Sequence, residues 1–294
     1  MGDTTTYIGI DLGGARGRTT AVATMETSAQ RPETAAVLQV STRDGDQPWT
    51  DTVLVNHITN AIKEPGSSVV VAVNAPLTVP ACVRCTLSEC PGEVQCVDPA
   101  TLWLRTEGRE IARAGLADLG AVDLVVAGAT SKTKPSGSSP RARQPHLAPY
   151  VHRCTEVVLH YGRHRLPRGA MGNSNGPIAA RAAHLRRRLA SHGFELNRNL
   201  LEVSPRATVA AMFDRRRARG YKRDADPWAT RAEIVEALDD LHFAARSRLS
   251  REEVLRNDHC FEALLSAYSA FRAQRDRWDG PLDGLEDDGW IWAP

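Results

Sequence analysis

Five consecutive apolar residues, Val69–Val73, constrain the fold of this chain most. An unbroken apolar run of this length is typical of a strand that is buried on both faces of a parallel sheet. Earlier segments predict its neighbours: a hairpin from Tyr7–Asp11 and Arg18–Ala23, a third strand at Ala35–Val40, and a helix over Trp49–Ile62. The sequence therefore predicts an α/β fold that begins with three strands, a helix and a buried parallel strand.

The later part of the chain has mostly helical patterns. A helix is expected from Asn173, with Gly193 directly after its last turn. Leu201–Pro205 is a candidate short strand, and the two clearest helical segments are Ala232–Ala244 and Arg251–Ala273.

The length of 294 residues suits one large α/β domain, which we expect to span residues 1–294. Two insertions are predicted within it. The first, at about 80–100, contains a cysteine cluster, and the second, at 131–150, is rich in Ser, Pro and Arg and reads as an exposed loop. The closing Gly289–Pro294 is too apolar for a free tail, so we expect it to dock on the core.

Composition narrows the class of protein. No apolar run approaches the length of a membrane span, and the first residues lack the features of a signal peptide. These patterns predict a cytoplasmic protein with reduced cysteines and no membrane partner. The net charge is only +2, so any site for a polyanion has to be local.

Four cysteines lie within fifteen residues, at Cys82, Cys85, Cys90 and Cys96. Short loops between thiols can return the chain to a single tetrahedral ion, so the spacing favours a structural zinc site. An iron–sulfur cluster, or cysteines that are unliganded or paired in disulfides, are the alternatives. Cys154 and Cys260 are distant in sequence and are expected to be buried as small apolar residues.

Carboxylates form a second candidate site. Asp11 ends the first predicted strand, and Asp258 and Glu262 are four residues apart, which places them on one face of the last long helix. Acids that converge from a central strand and a packed helix can bind Mg²⁺ or Mn²⁺, which prefer oxygen ligands. The alternative is that the helical pair is a solvated edge or a set of ion-pair partners.

Only four of the 37 basic residues are lysines. The basic runs can be solvated faces, or a groove that contacts a phosphate backbone. They are Arg141 and Arg143; Arg163, His164, Arg165 and Arg168; Arg186–Arg188; and Arg215–Arg217 with Arg219, Lys222 and Arg223. Four histidines could supply a general base or a ligand, or could simply cap or pack: His146, His152, His160 and His164.

Several short motifs, in order along nearly the whole chain, resemble domain-of-unknown-function family 429. They are Ile8–Gly14, Ala72–Leu77, Arg153–Glu156, Glu202–Arg206 and Asp258–Tyr268. That family is regarded as predicted nucleases with a ribonuclease H-like fold. The resemblance implies a mixed five-stranded sheet flanked by helices, with acidic residues at its centre.

The resemblance also implies roles for single residues. The catalytic acids would be Asp11, Glu156, Asp258 and Glu262, of which Asp11 and Asp258 would hold Mg²⁺ or Mn²⁺. The substrate-binding residues predicted with them are Arg16, Arg18, Asn74, Arg153 and Arg206. Asn74 departs from the family pattern, which commonly has aspartate there, so the site lacks one anionic ligand unless Glu156 or Glu202 substitutes.

These features favour a metal-dependent phosphodiesterase or nuclease that acts on nucleic acid by two-metal hydrolysis, with nucleic acid or another phosphate-containing ligand as its partner. One alternative is a noncatalytic nucleic-acid- or protein-binding module, since Asn74 replaces an expected acid. Another is an actin-like ATP-binding or phosphotransfer protein, because Gly9–Gly14 resembles the first phosphate loop of that superfamily. No second copy of such a loop is present in the sequence.

Overall fold

The fold comes from a computed structural model of the chain. It describes residues 4–14, 20–62, 68–119, 147–163, 169–172 and 175–294. Some sequence predictions fall outside these ranges: those for Arg16, Arg18, Arg141, Arg143, His146, His164, Arg165, Arg168 and Asn173, and for most of the 131–150 insertion.

Seven strands form one mixed sheet in the described part of the chain, and two very short strands pair separately. The strands are β1 (Thr4–Asp11), β2 (Ala21–Ser28), β3 (Arg31–Ser41), β4 (Arg43–Asp44), β5 (Gln47–Pro48), β6 (Ser68–Val73), β7 (Leu200–Val203), β8 (Leu241–Phe243) and β9 (Ile291–Trp292). The order across the large sheet is β8-β3-β2-β1-β6-β7-β9. β2 runs antiparallel to β1 and β3, whereas the other pairs are parallel.

Helices cover both faces of the sheet. They are α1 (Asp51–Asn60), α2 (Ala81–Arg84), α3 (Pro99–Arg105), α4 (Glu107–Leu119), α5 (Cys154–Val157), α6 (Gly176–Ala190), α7 (Pro205–Met212), α8 (Arg215–Arg223), α9 (Pro227–Glu236), α10 (Arg248–Arg256) and α11 (Asp258–Arg275). A π-helical turn continues α5 over Val158–Gly162. None of the helices in the described ranges is long and apolar enough to span a bilayer.

The alternation of side chains along β1 divides the core between the two faces. Tyr7 packs with α11 on one face, whereas Ile8 and Ile10 pack with α1 and α6 on the other. Because both faces are covered, β1 and β6 are buried almost throughout, as their apolar sequences require.

Helix α11 crosses β1 at unusually close range. A Cβ atom at Gly9 would lie 2.1 Å from the backbone oxygen of Ala263 and 2.3 Å from the backbone nitrogen of Ala267. Glycine is therefore needed at position 9, because any side chain would push the helix away from the strand. This contact fixes the first half of α11 over the carboxyl end of β1.

The structure confirms the predicted order of three antiparallel strands, a helix and a buried parallel strand. The prediction of five strands is wrong, because β8 and β9 extend the sheet at its two edges. These edge strands have three and two residues, too few to form a recognisable alternating pattern.

Two helix predictions need correction. Ala232–Ala244 is only partly helical, since α9 ends at Glu236 and β8 follows. Arg251–Ala273 is divided into α10 and α11 at Asn257, which has an extended backbone and accepts a hydrogen bond from the backbone nitrogen of His259. Asn257 thus caps a new helix instead of continuing the old one.

The docking of the closing segment is confirmed. Trp290, Ile291 and Ala293 are buried, and β9 pairs with β7. The segment thereby completes one edge of the sheet.

Candidate functional site

Polar side chains meet where β1 and β6 end, directly under the first turns of α11. Asp11 is the last residue of β1 and Asn74 follows β6, while Glu262 projects from α11. All three are at least nine-tenths buried. The parallel pairing of β1 and β6 brings their carboxyl ends to the same edge of the sheet.

Asn74 joins the two carboxylates of this site. Its Nδ2 donates to Asp11 Oδ1 at 2.6 Å and lies 3.4 Å from Glu262 Oε2. Asn74 is thus a donor that holds both acids in place. The amide therefore orients the carboxylates without adding a negative charge.

His259 is a member of the site that the sequence reasoning missed. Its Nδ1 lies 2.6 Å from Asp11 Oδ2. The hydrogen bond with Asp11 raises the pKa of His259 above its usual value, although partial burial works against this. The available signal was its position three residues before Glu262, which places both side chains on the same face of α11.

Two further residues reach the site from α8, and neither was assigned to it from the sequence. Tyr221 donates its hydroxyl to Glu262 Oε1 at 2.7 Å. Lys222 Nζ lies 2.8 Å from Glu262 Oε2 and 3.1 Å from Asp258 Oδ2. Partial burial tends to raise the pKa of Asp258, but the charge and hydrogen bond of Lys222 outweigh it and lower the pKa.

Three of these side chains are arranged as ligands of a metal ion could be. Asp11, His259 and Glu262 each offer one atom, and the three atoms lie within 4.8 Å of one another. Two carboxylate oxygens and one imidazole nitrogen suit Mn²⁺ or Mg²⁺, and the nitrogen favours Mn²⁺ of the two. Asp258, which was predicted as a metal ligand, is connected to this group through Lys222.

Glu156 lies in a second buried network instead. Arg153 is fully buried and binds Glu202 with two hydrogen bonds of 2.7 Å, and its Nε donates to Glu156 at 2.9 Å. Burial tends to lower the pKa of Arg153, but the two carboxylates outweigh it and raise the pKa. Burial raises the pKa of Glu202 despite this arginine. Glu156 also accepts from the backbone nitrogen of Ala170 at 2.6 Å, so its carboxylate is engaged in holding segments together.

A small cleft with a cavity volume of about 20 Å³ lies beside Asn74, between the ends of β6 and β7 and the starts of α6 and α7. Its lining includes Asn74, Pro76, Asn175, Glu202, Ser204 and Ile291. Arg206, predicted to bind substrate, is half-buried in the first turn of α7, two residues after Ser204. The cleft meets the strand-end site only at Asn74, because Asp11, His259 and Glu262 are not among its lining residues.

The cysteine cluster lies in α2 and the loop after it. Cys82, Cys85 and Cys90 are exposed, Cys96 is half-buried, and all four are free thiols. Burial, followed by the neighbouring thiols of the cluster, raises the pKa of Cys82. No three of these thiols lie as close together as the three ligand atoms of the strand-end site. The predicted burial of Cys154 and Cys260 is confirmed.

The basic runs behave differently from one another. On α8, Arg216, Arg219 and Arg223 are exposed at a spacing that places them along one side of the helix. On α6, Arg186 donates to the backbone oxygen of Leu77 at 3.2 Å and is structural. The exposed side of α8 is thus a basic surface on the same helix that supplies Lys222.

Two of the four histidines singled out in the sequence, His152 and His160, lie in the described part of the chain, and both are outside the strand-end group. His152 Nδ1 accepts from the backbone nitrogen of Ala148 at 3.2 Å, and His160 contacts Tyr161 edge-to-face. Both contacts match the capping and packing alternative.

One family model matches residues 9–284, and its description is "protein of unknown function (DUF429)". No curated protein and no solved structure matches the chain.

Proposed function

The chain belongs to the DUF429 family, and we propose that this member hydrolyses phosphodiester bonds of nucleic acid with the help of a divalent metal ion. The observation that carries the proposal is the convergence of Asp11, His259 and Glu262 at the ends of the central strands. Two buried carboxylates and a half-buried imidazole are donors that can hold the divalent ion on which such hydrolysis depends.

The order of the central strands supports the proposal. β3-β2-β1-β6-β7, with only β2 antiparallel to its neighbours, is the arrangement expected of a ribonuclease H-like core. Asp11 stands at the end of the middle strand, where that fold would gather its acids. Fold alone does not determine activity, so the proposal depends on the site.

The residues present fit Mg²⁺ or Mn²⁺. Asp11, Glu262 and His259 would hold the ion, which when bound activates water and offsets negative charge on a phosphate. Asn74 orients Asp11, and Tyr221 orients Glu262, so the ligand side chains are fixed by hydrogen bonds before any ion arrives. His259 has to lose its proton to act as a ligand.

The basic side of α8 supports a nucleic-acid substrate. Arg216, Arg219 and Arg223 are exposed on the helix whose Lys222 contacts Glu262. Because the whole chain has a net charge of only +2, this local surface is where a phosphate backbone would be attracted.

The test is cleavage of labelled single-stranded and duplex DNA and RNA by the metal-free protein with and without added Mn²⁺. We expect cleavage that needs Mn²⁺ and falls by at least about 100-fold in Asp11→Asn. Asp239→Asn, an exposed change of the same chemistry, is the matched control and should cleave normally. Cleavage retained in Asp11→Asn, or none by the unmodified protein, contradicts the proposal. Salt-dependent binding without turnover would favour the noncatalytic module.

We also propose that the four clustered cysteines bind one structural Zn²⁺. From Cys85 to Gln95 every residue except Glu93 is exposed, so this stretch has no apolar core of its own to hold its path. The turn at Gly92, whose backbone N–H donates to the Cys90 sulfur at 3.4 Å, reverses the chain between Cys90 and Cys96, and zinc binding would draw the four thiols together.

Elemental analysis tests this assignment. We expect about one zinc per chain, lost in Cys90→Ser and kept in Ser88→Ala, an exposed neighbour in the same loop. Iron in place of zinc, or no metal, contradicts it.

A further inference from the structure

We propose that the ammonium group of Lys222 takes the place of a second metal ion, so that the site binds a single divalent cation. The inference rests on the proposed function, since it concerns the same ligands. It departs from the two-metal hydrolysis that the sequence suggested.

The position of the ammonium group is the first argument. Lys222 Nζ lies between Glu262 Oε2, at 2.8 Å, and Asp258 Oδ2, at 3.1 Å. In two-metal sites a carboxylate is shared between the ions, and an outer carboxylate completes the second position. Here Glu262 is the shared carboxylate and Asp258 the outer one, and the position between them is filled by a positive charge that belongs to the chain.

Charge balance is the second argument. The site has three carboxylates, on Asp11, Asp258 and Glu262, while Asn74 contributes a neutral amide. One divalent cation and one ammonium group carry three positive charges, which equals the charge of the three carboxylates; the buried Arg231 acts on Asp258 from outside this group. Two divalent cations beside Lys222 would leave an excess of at least two positive charges, which is costly because Asp11 and Glu262 are buried.

The choice of residue is the third argument. Only four of the 37 basic residues are lysines, and one of them, Lys222, stands in a run of arginines on α8. An ammonium group is a compact point charge, whereas a guanidinium is a broad planar fork. A compact charge is what can sit between two carboxylates as a metal ion does.

The surroundings hold Lys222 in this place. Tyr221, its neighbour on α8, is buried and donates to Glu262 Oε1, so the two residues bind both oxygens of one carboxylate. The side chain of Lys222 is only about one-quarter exposed. Its position is thus set by packing of α8, not by a loose surface contact.

The experiment counts Mn²⁺ ions bound per chain by calorimetric titration of the metal-free protein. Mn²⁺ is a hard ion that thiolates bind poorly, so the cysteines do not contribute. We expect one ion in the unmodified protein and two in Lys222→Gln, which frees both carboxylates. The double variant K222Q/D258N should return to one, because only Glu262 remains at the second position. Arg251→Gln removes the same charge at an exposed position of α10, and this variant should still bind one ion.

Each outcome has a distinct meaning. Two ions in the unmodified protein, or one in Lys222→Gln, overturns the role of Lys222 while the proposed function stands. No bound ion in the unmodified protein overturns the metal site and with it the proposed function. If Lys222→Gln does not fold, Lys222→Met keeps the aliphatic stem and is titrated instead. In either case, two ions bound to the unmodified protein would overturn the role of Lys222.

Discussion

Asn74 donates to one carboxylate and lies near a second, and it adds no charge of its own. Its replacement by aspartate should therefore change both the stability of the site and its affinity for a metal ion. In Asn74→Asp, the donor is lost and a third carboxylate faces Asp11 and Glu262. We expect the metal-free protein to lose about 1–3 kcal/mol of unfolding free energy, because like charges repel and a hydrogen bond is gone. Added Mn²⁺ should restore the loss and bind more tightly than to the unmodified protein.

Chemical denaturation in chelator and in Mn²⁺ measures both effects. Unchanged stability of the metal-free Asn74→Asp protein would show that the amide does not organise the site. Asn60→Asp, a change of the same kind at an exposed position of α1, is the control.

His259 makes the site sensitive to pH. The hydrogen bond with Asp11 raises its folded pKa above the usual 6.5, so the charged pair stabilises the metal-free protein fully below pH 6.5. That stability is lost as the pH rises through the raised pKa. Over the same range the imidazole becomes free to bind a metal, so Mn²⁺ affinity should increase.

Thermal unfolding of the metal-free protein, compared with His259→Gln from pH 6.5 upward, tests this. The advantage of the unmodified protein over the variant should shrink as the pH rises. Two curves that stay parallel would mean that His259 is not charged against Asp11.

Single residues were predictable only where a local pattern marks them. Asp11 ends an apolar strand, and Asp258 and Glu262 share a helical face, so the sequence singled out all three. Tyr221 and Lys222 reach Glu262 across about 40 positions, and no local pattern reports such a contact. Glu156 pairs with Arg153, three residues earlier in the sequence. This spacing already indicated an ion pair on one helical turn, although Glu156 was predicted as a catalytic acid.

At the scale of elements, the packing of α11 on β1 determines whether the site exists. A methyl group at Gly9 would lie 2.1 Å from a backbone oxygen of α11, and backbone cannot rotate away as a side chain can. We expect Gly9→Ala to destabilise the protein by about 3 kcal/mol or more. Because Glu262 and His259 lie on this helix, a shift of the helix moves both ligands, and Mn²⁺ binding should weaken as well.

Gly14→Ala is the matched control, since nothing lies within 4 Å of a Cβ there. Denaturation midpoints and Mn²⁺ affinities of the two variants make the comparison. Equal stability of both would contradict the close crossing of α11 and β1.

Strands with a clear apolar pattern were predicted, and the shortest edge strands were not. β1, β3 and β6 lie where the apolar segments predicted them, and β7 overlaps the candidate strand Leu201–Pro205. β2 overlaps its predicted segment only over Ala21–Ala23. β8 and the break at Asn257 depend on tertiary contacts and on a single capping side chain, which periodicity does not record.

For the whole molecule, the buried network around Arg153 joins distant parts of the chain. The guanidinium connects Glu202 of β7, Glu156 of α5 and the hydroxyl of Thr78. Arg153→Met would leave two buried carboxylates without a cation, so we expect a loss of about 3–5 kcal/mol in unfolding free energy.

The exposed pair Arg198–Glu195 gives the contrasting case. Arg198→Met should change stability by less than about 1 kcal/mol, since both partners face solvent. Urea denaturation of both variants makes the comparison. A loss below about 1 kcal/mol in Arg153→Met would show that the network is dispensable.

The separation of Asp11 and His259 by 248 positions also bears on synthesis. β1 pairs with β2 in a short-range hairpin, so Asp11 is synthesised and paired into a strand early. The ligands on α11 emerge only after most of the chain has been made. A translation product that stops before α11 therefore lacks Glu262 and His259. Such a product has only one of the three ligand residues and cannot bind the metal at this site.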